Sequence, residues 1–268
     1  VRMTLIDIPK YRRDEIKMAV FSALKHEKSP SLPLKIKAIV RSFDNIRLIS
    51  YSKHMKHMNI TYTQMLAFAE TKDACTDYYT AHNLYYIYYN DIDVNIMKSN
   101  RYRWNIAHEL GHILLHHHKS NDKTRIFRST LSDKEYRYLE AEADYFASLI
   151  LVPHSVLYAL QIDSAQTISC ICEISGPASR IRYKDFVIWK SHLDTNDEYD
   201  KKIFNFYFNF IYKRKCKNCG ASIIQQGGRY CPICGSKNTL KWGDGIMNYK
   251  NFHTNENGRL IKCIRCSN

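Results

Sequence analysis

The chain has 268 residues, 45% of them hydrophobic, which is enough to bury a sizeable core in one main domain beside a small second one. No run of 18 apolar residues occurs, which argues against a membrane-spanning helix, and Val1–Asp7 has an early acid and no apolar segment, so no signal peptide is expected. The formal net charge of +14 is lopsided: residues 201–268 hold thirteen Lys/Arg and two Asp/Glu, which suggests nucleic-acid phosphate or an acidic protein surface as a partner, a solvated basic tail being the plainer alternative.

In chain order, Ile16, Ala19, Val20, Ala23 and Leu24 predict an amphipathic helix over 11–27, closed by a Ser/Pro-rich linker. Residues 34–43 suggest a second short helix and 46–51 a strand. A further helix is expected over 59–70, capped by Thr61 or Thr63. Tyr85–Tyr89 has strong strand propensity and ends at Asn90. A strand just before a catalytic helix could accept a peptide along its edge, although an aromatic core strand is an equally good reading of these tyrosines. With 20 tyrosines in the chain, none can be singled out to stabilise an oxyanion.

Residues 103–116 form the stretch around which the chain is organised. His108-Glu109-Leu110-Gly111-His112 is the His-Glu-x-x-His signature of zinc proteases. On a helix the two histidines lie about 40° apart around the axis and about 6 Å along it, so both imidazoles reach one metal. Glu109 can then act on water rather than ligate, because zinc lowers the pKa of a bound water to about 7. Ile106, Ala107, Leu110, Ile113 and Leu114 predict a buried helix. His118 has the spacing of a third ligand in the longer zincin motif, but Leu115 occupies the position of the helix-breaking Gly. The helix is therefore expected to run on, carrying His118 about 15 Å from His108 and leaving His116, His117 and His118 as a solvated helix end.

Residues 119–133 are polar and basic and read as a loop over the site, with Ser132 or Asp133 capping the next helix. That helix, 139–153, is apolar at 139, 143, 146, 147 and 150 and stops at Pro153. Glu140 and Asp144 share one of its faces. Glu140 can complete a site of two His and one Glu with a fourth position open, and Asp144 can accept a hydrogen bond from a ligand imidazole. Glu142, about 200° around the helix from Glu140, is the weaker ligand candidate; the competing reading leaves both glutamates as surface charges.

Arg103-Trp-Asn-Ile-Ala-His-Glu-Leu-Gly-His112, followed by Glu140-Ala-Glu-Ala-Asp-Tyr-Phe-Ala-Ser-Leu-Ile-Leu-Val-Pro153, resembles the ImmA/IrrE family of metallo-endopeptidases. Tyr88-Tyr89-Asn90 resembles the family's strand ending in Asn, and the likeness covers roughly residues 10–155. The final helix ends Leu-Val-Pro where the family usually has Leu-Met-Pro. The resemblance implies a zincin-like peptidase that cleaves and inactivates a helix-turn-helix repressor, with His108, His112 and Glu140 on zinc and Glu109 as general base. A non-cleaving anti-repressor that sequesters its partner is the alternative, and Glu109 separates the two, since a binder has no need of the base.

Beyond Pro153, residues 154–160 and 168–174 suggest short helices, and 179–186 resembles the tail of a helix-turn-helix without a diagnostic feature. Residues 192–200 read as a polar boundary. Residues 203–212, an aromatic run, fit either a strand into the last domain or a helix docked on the first. Cys216-x-x-Cys219-Gly and Cys231-x-x-Cys234-Gly resemble the two knuckles of a zinc ribbon, with a redox pair as the competing reading. Cys263 and Cys266 form a third pair, too few for a second four-thiolate site. Six of nine cysteines in such pairs fit a reducing compartment, so a cytoplasmic protein is expected.

The expectation is thus an α+β chain: a zincin-like metallopeptidase domain over 1–195, a connection over 196–212, and a small β-rich zinc-ribbon domain over 213–268, with one catalytic and one structural zinc.

Overall fold

The computed structural model describes residues 8–120, 132–194, 196–212, 215–216, 218–221, 231, 234–236, 252–254 and 260–263. The N-terminal heptapeptide, most of the loop expected over 119–133, and Cys266 lie outside the described residues. Helix α1 (Lys10–Leu24) buries Ile16, Val20, Ala23 and Leu24, one stripe at helical spacing. Helix α2 (Ile36–Arg41) and strand β1 (Ile46–Ser50) follow as expected. A helix not read in the sequence comes next, α3 (Tyr51–Met58): the Ser50 side chain accepts from the Lys53 amide, and Asn59 closes it at φ 53°. In α4 (Tyr62–Ala69) Thr61 is the cap, in a reciprocal capping box with Gln64.

Strands β2 (Ala74–Tyr79) and β3 (Leu84–Tyr89) complete a three-stranded sheet in the order β1-β3-β2, with β3 parallel to β1 and antiparallel to β2. Tyr85, Ile87 and Tyr89 face the main core, while Tyr88 and Tyr86 face a smaller cluster under α3 and α4, the period-two alternation of a strand covered on both sides. This corrects the expectation that β3 offers an edge to substrate. Both its edges are hydrogen-bonded, and β2 is the outer strand on the side of the site.

Helix α5 (Val94–Lys98) leads into α6 (Arg101–Leu114), which carries the His-Glu-x-x-His stretch and packs along α8 (Asp133–Leu151). Gly111 makes that approach possible: a Cβ there would lie 3.1–3.2 Å from the Phe146 side chain. Ser132 caps α8 in a second capping box, with Glu135.

The helix ends earlier than its sequence predicts. α6 stops at Leu114, His116 turns the chain at φ 61°, and a short helix α7 (His117–Ser120) runs back. His117 and His118 are therefore buried rather than solvated; only His116 is exposed.

Helices α9 (His154–Ala159), α10 (Ala165–Cys172) and α11 (Gly176–Ser191) follow. The aromatic run expected as part of a connection folds as α12 (Glu198–Phe206) and α13 (Phe208–Tyr212). Ile203, Tyr207, Phe210 and Ile211 lie at i, i+4, i+7 and i+8 and bury in the same core as α1 and α9. Near the C-terminus the described residues hold two cysteine turns and an antiparallel pair, β4 (Phe252–Thr254) with β5 (Leu260–Cys263). Among the described residues no helix is long and apolar enough to cross a membrane.

Candidate metal centre and active-site cleft

The α6–α8 packing brings together the three side chains singled out as ligands. His108 Nε2 lies 3.0 Å from His112 Nε2 and 3.5 Å from Glu140 Oε2, and His112 Nε2 lies 3.3 Å from Glu140 Oε1. Tetrahedral zinc with ligands at about 2.0–2.2 Å separates its ligand atoms by about 3.3–3.6 Å, so the donor set fits that ion with little adjustment. Burial opposes charge on both imidazoles, yet the hydrogen bonds to Asp144 and Glu140 hold His108 well above its usual range, while His112 stays below it. Glu140 is also desolvated, but the two histidines hold its carboxyl far below the usual range. A bound divalent cation takes over the role of the shared proton, so metal affinity falls as pH falls.

The outer nitrogens of both histidines are engaged. His108 Nδ1 lies 3.1 Å from Asp144 Oδ1, the oxygen that also accepts from Trp104 Nε1 at 3.3 Å. Asp144 thus sits where the helical spacing put it, and Trp104, one turn before His108, supports it. His112 Nδ1 lies 2.8 Å from His117 Nδ1, and His117 Nε2 lies 2.8 Å from Glu142 Oε2. Glu142 is not a surface charge. It is wholly buried, and Arg12 of α1 grips both its oxygens at 2.6 and 2.7 Å, Nε on Oε1 and Nη2 on Oε2. Burial raises the Glu142 carboxyl, but His117 and Arg12 outweigh it and bring the group down to about 2. Burial, with Arg12 adding to it, holds His117 below the usual imidazole range.

Glu109 lies beside His108 and accepts from Thr76 Oγ1 of β2 at 2.6 Å. Strand β2 is held against α6 just before this point, where Arg101 and Asn105 both donate to Asp73 at 2.7 and 3.2 Å. These groups line one cleft of about 1930 Å³, bounded by β2, α6, α8 and α11. That is well above the 300–1,000 Å³ of a small-molecule pocket and leaves room for an extended chain. Asn90, the strand-end residue, has a structural part: buried, it donates to Tyr62 Oη and the Lys72 carbonyl and accepts from the Ile92 and Asp93 amides.

The second group singled out in the sequence also converges. Cys216 and Cys234 sulfurs lie 3.7 Å apart, as do those of Cys219 and Cys231, and all four lie within 4.8 Å of one another. Each Cys-x-x-Cys closes the same way: the Gly220 amide donates to the Cys216 carbonyl and the Gly235 amide to the Cys231 carbonyl, at φ +70° and +71°, which glycine adopts without strain. The Asn218 side chain and the Ser236 amide favour the thiolate of Cys234 and bring it down to about 6. This cluster is consistent with a zinc ribbon and fits a tetrahedral thiolate-bound ion. Cys263 ends β5.

Thr76, Trp104, His117, Glu142 and Arg12 were not assigned these parts from the sequence. Of these, His117 carries a signal in the run His116-His117-His118, whose sequence points to a solvated helix end, and Glu142 one as the weaker ligand candidate.

An α+β domain with His-Glu-x-x-His on a buried helix, faced across a long cleft by a carboxylate-bearing helix, defines a metallopeptidase class. Residues 56–169, from α3 into α10, match the Peptidase_M78 family model, described as the IrrE N-terminal-like domain, and this match supports the resemblance to the ImmA/IrrE family. The match leaves out α1, α11 to α13 and the cysteine cluster. No curated protein matches the chain.

Proposed function

We propose that the protein is a zinc-dependent endopeptidase, with His108, His112 and Glu140 as metal ligands and Glu109 as general base. The observation that carries this reading is the convergence of the three donors within 3.0–3.5 Å, with Glu109 beside them in the cleft. When bound, zinc would acidify a water and polarise the scissile carbonyl. With Oε2 engaged by Thr76, Glu109 presents Oε1 to take the water's proton and pass it to the leaving amine. Asp144 and Trp104 orient His108. The outer edge of β2, facing the cleft, would receive an extended peptide as an added strand and present its backbone to Glu109.

The family resemblance supports a helix-turn-helix repressor as substrate, and the basic C-terminal segment, net +11 over 201–268, supports cleavage near DNA. The thiolate cluster would hold a structural zinc in that segment. The test is cleavage of candidate repressors by the zinc-loaded chain and by Glu109→Gln, which should lower the rate about 10²–10⁴-fold while zinc binding is unchanged. Repressor bound but uncut by both proteins would favour the sequestering alternative.

A further inference from the structure

His117 lies behind the candidate centre, and its contacts leave few ways to place its protons. His117 is 2% exposed, Glu142 0% and His112 4%, so water does not substitute for any of these contacts. A carboxylate only accepts, so His117 Nε2 carries a proton for Glu142 Oε2, 2.8 Å away. Arg12 already matches the charge of Glu142 with two hydrogen bonds, at 2.6 and 2.7 Å. On the other side of the ring, His112 can offer Nε2 to a metal between His108 and Glu140 only with its own proton on Nδ1, the atom that faces His117. His117 is then a neutral ring whose Nδ1 accepts. Across from it lies His112 Nδ1, 2.8 Å away, which donates. With its proton on Nδ1, His112 presents the lone pair of Nε2 toward His108 and Glu140.

We propose that His117, backed by Glu142 and Arg12, is a positioning residue that fixes the tautomer and ring orientation of His112 as a metal ligand. The inference rests on the reading of His108, His112 and Glu140 as a metal site. It assigns two faces of α8 to one centre: Glu140 offers a ligand on one side, and Glu142, about 200° around the helix, anchors the support from behind. It also gives α1 a part, because Arg12 reaches Glu142 from a helix outside the segment that matches the family model. The break at His116 is what swings His117 back behind α6. Outer partners of this kind are worth about 10–100-fold in metal affinity.

The test is Co²⁺ titration of the full chain, followed by the absorption of the thiolate-free site, whose spectrum lacks the charge-transfer bands of the cysteine cluster. His117→Leu should bind about 10–100-fold more weakly and shift the bands of the bound ion. His117→Asn, which keeps an acceptor near the Nδ1 position, should recover most of the loss. A His117→Leu that binds like the parent, or a His117→Asn no better than Leu, overturns the proposal. If His117→Leu fails to fold, ¹⁵N-histidine spectra of the zinc-loaded parent decide: a single Nε2–H tautomer for His117 supports the relay, and a proton on its Nδ1 overturns it. A parent with no thiolate-free cobalt signal would instead sink the metal-site reading, and this inference with it.

Discussion

His154 shows how one side chain in the cleft sets a pH limit on the fold. Its ring lies 5.8 Å from that of Phe186 and 5.7 Å from that of Trp189. Burial, reinforced by the nearby Arg182 charge, pushes the imidazole down to about 4 from 6.5. The native chain thus refuses a proton that the unfolded chain accepts. Stability present above pH 6.5 is lost as pH falls toward 4 and levels off below that. His154→Phe keeps the aromatic packing and removes the proton, so its urea midpoint should fall less than the parent's between pH 7 and pH 4.5. Equal falls would mean that His154 is not held neutral. Glu142 acts at lower pH: its folded value of about 2 lies below the ordinary 4.5, so its contribution is intact above pH 4.5 and lost as pH falls toward 2.

At the scale of elements, the centre depends on how closely α6 approaches α8, and Gly111 sets that distance against Phe146. Gly111→Ala gains about 1 kcal/mol of helix propensity, but an extra methyl against a fully buried ring costs about 1–3 kcal/mol. The net expectation is a modest loss of stability, measured by urea unfolding, together with weaker metal binding as Glu140 moves from the histidines. An unchanged metal affinity would show that the two helices can part without disturbing the site.

The same scale explains what the sequence made legible. α6 and α8 were readable because their apolar stripes, caps and metal-type residues agree. Strand β2 was not: Thr76 and Asp77 look like solvent-facing polar residues, yet Thr76 is buried by its bond to Glu109. Helix α3 buries only Tyr51, so it has no stripe to see. The turn at His116 uses a left-handed histidine where a glycine would have announced it, and one missed break turned a buried relay into a supposed solvated tail. Residues 203–212 needed tertiary packing to choose helix over strand, because a run so rich in aromatic residues fits both periods.

For the molecule as a whole, α12 and α13 belong to the packing of the main domain, and the cysteine cluster is fastened close behind them: Lys215, beside Cys216, donates to the Ala159 carbonyl of α9 at 2.7 Å. Most of the basic charge of 201–268 lies outside the described residues. If it serves a nucleic acid, the full chain should bind duplex DNA at low salt and lose affinity steeply, by about 10³–10⁵ between 50 and 200 mM salt for 6–10 phosphate contacts. A flat salt response would assign the charge to solvation alone.

Two donor sets, one of two histidines and a glutamate and one of four cysteines, are each expected to hold an ion. Metal content per chain, measured on the parent and on a His108→Ala/His112→Ala variant, tests it most directly. The expected result is two zinc ions per chain, falling to one in the variant. One zinc in both proteins would contradict it, leaving the His-Glu-x-x-His helix without a metal and the chain as a binder rather than a peptidase.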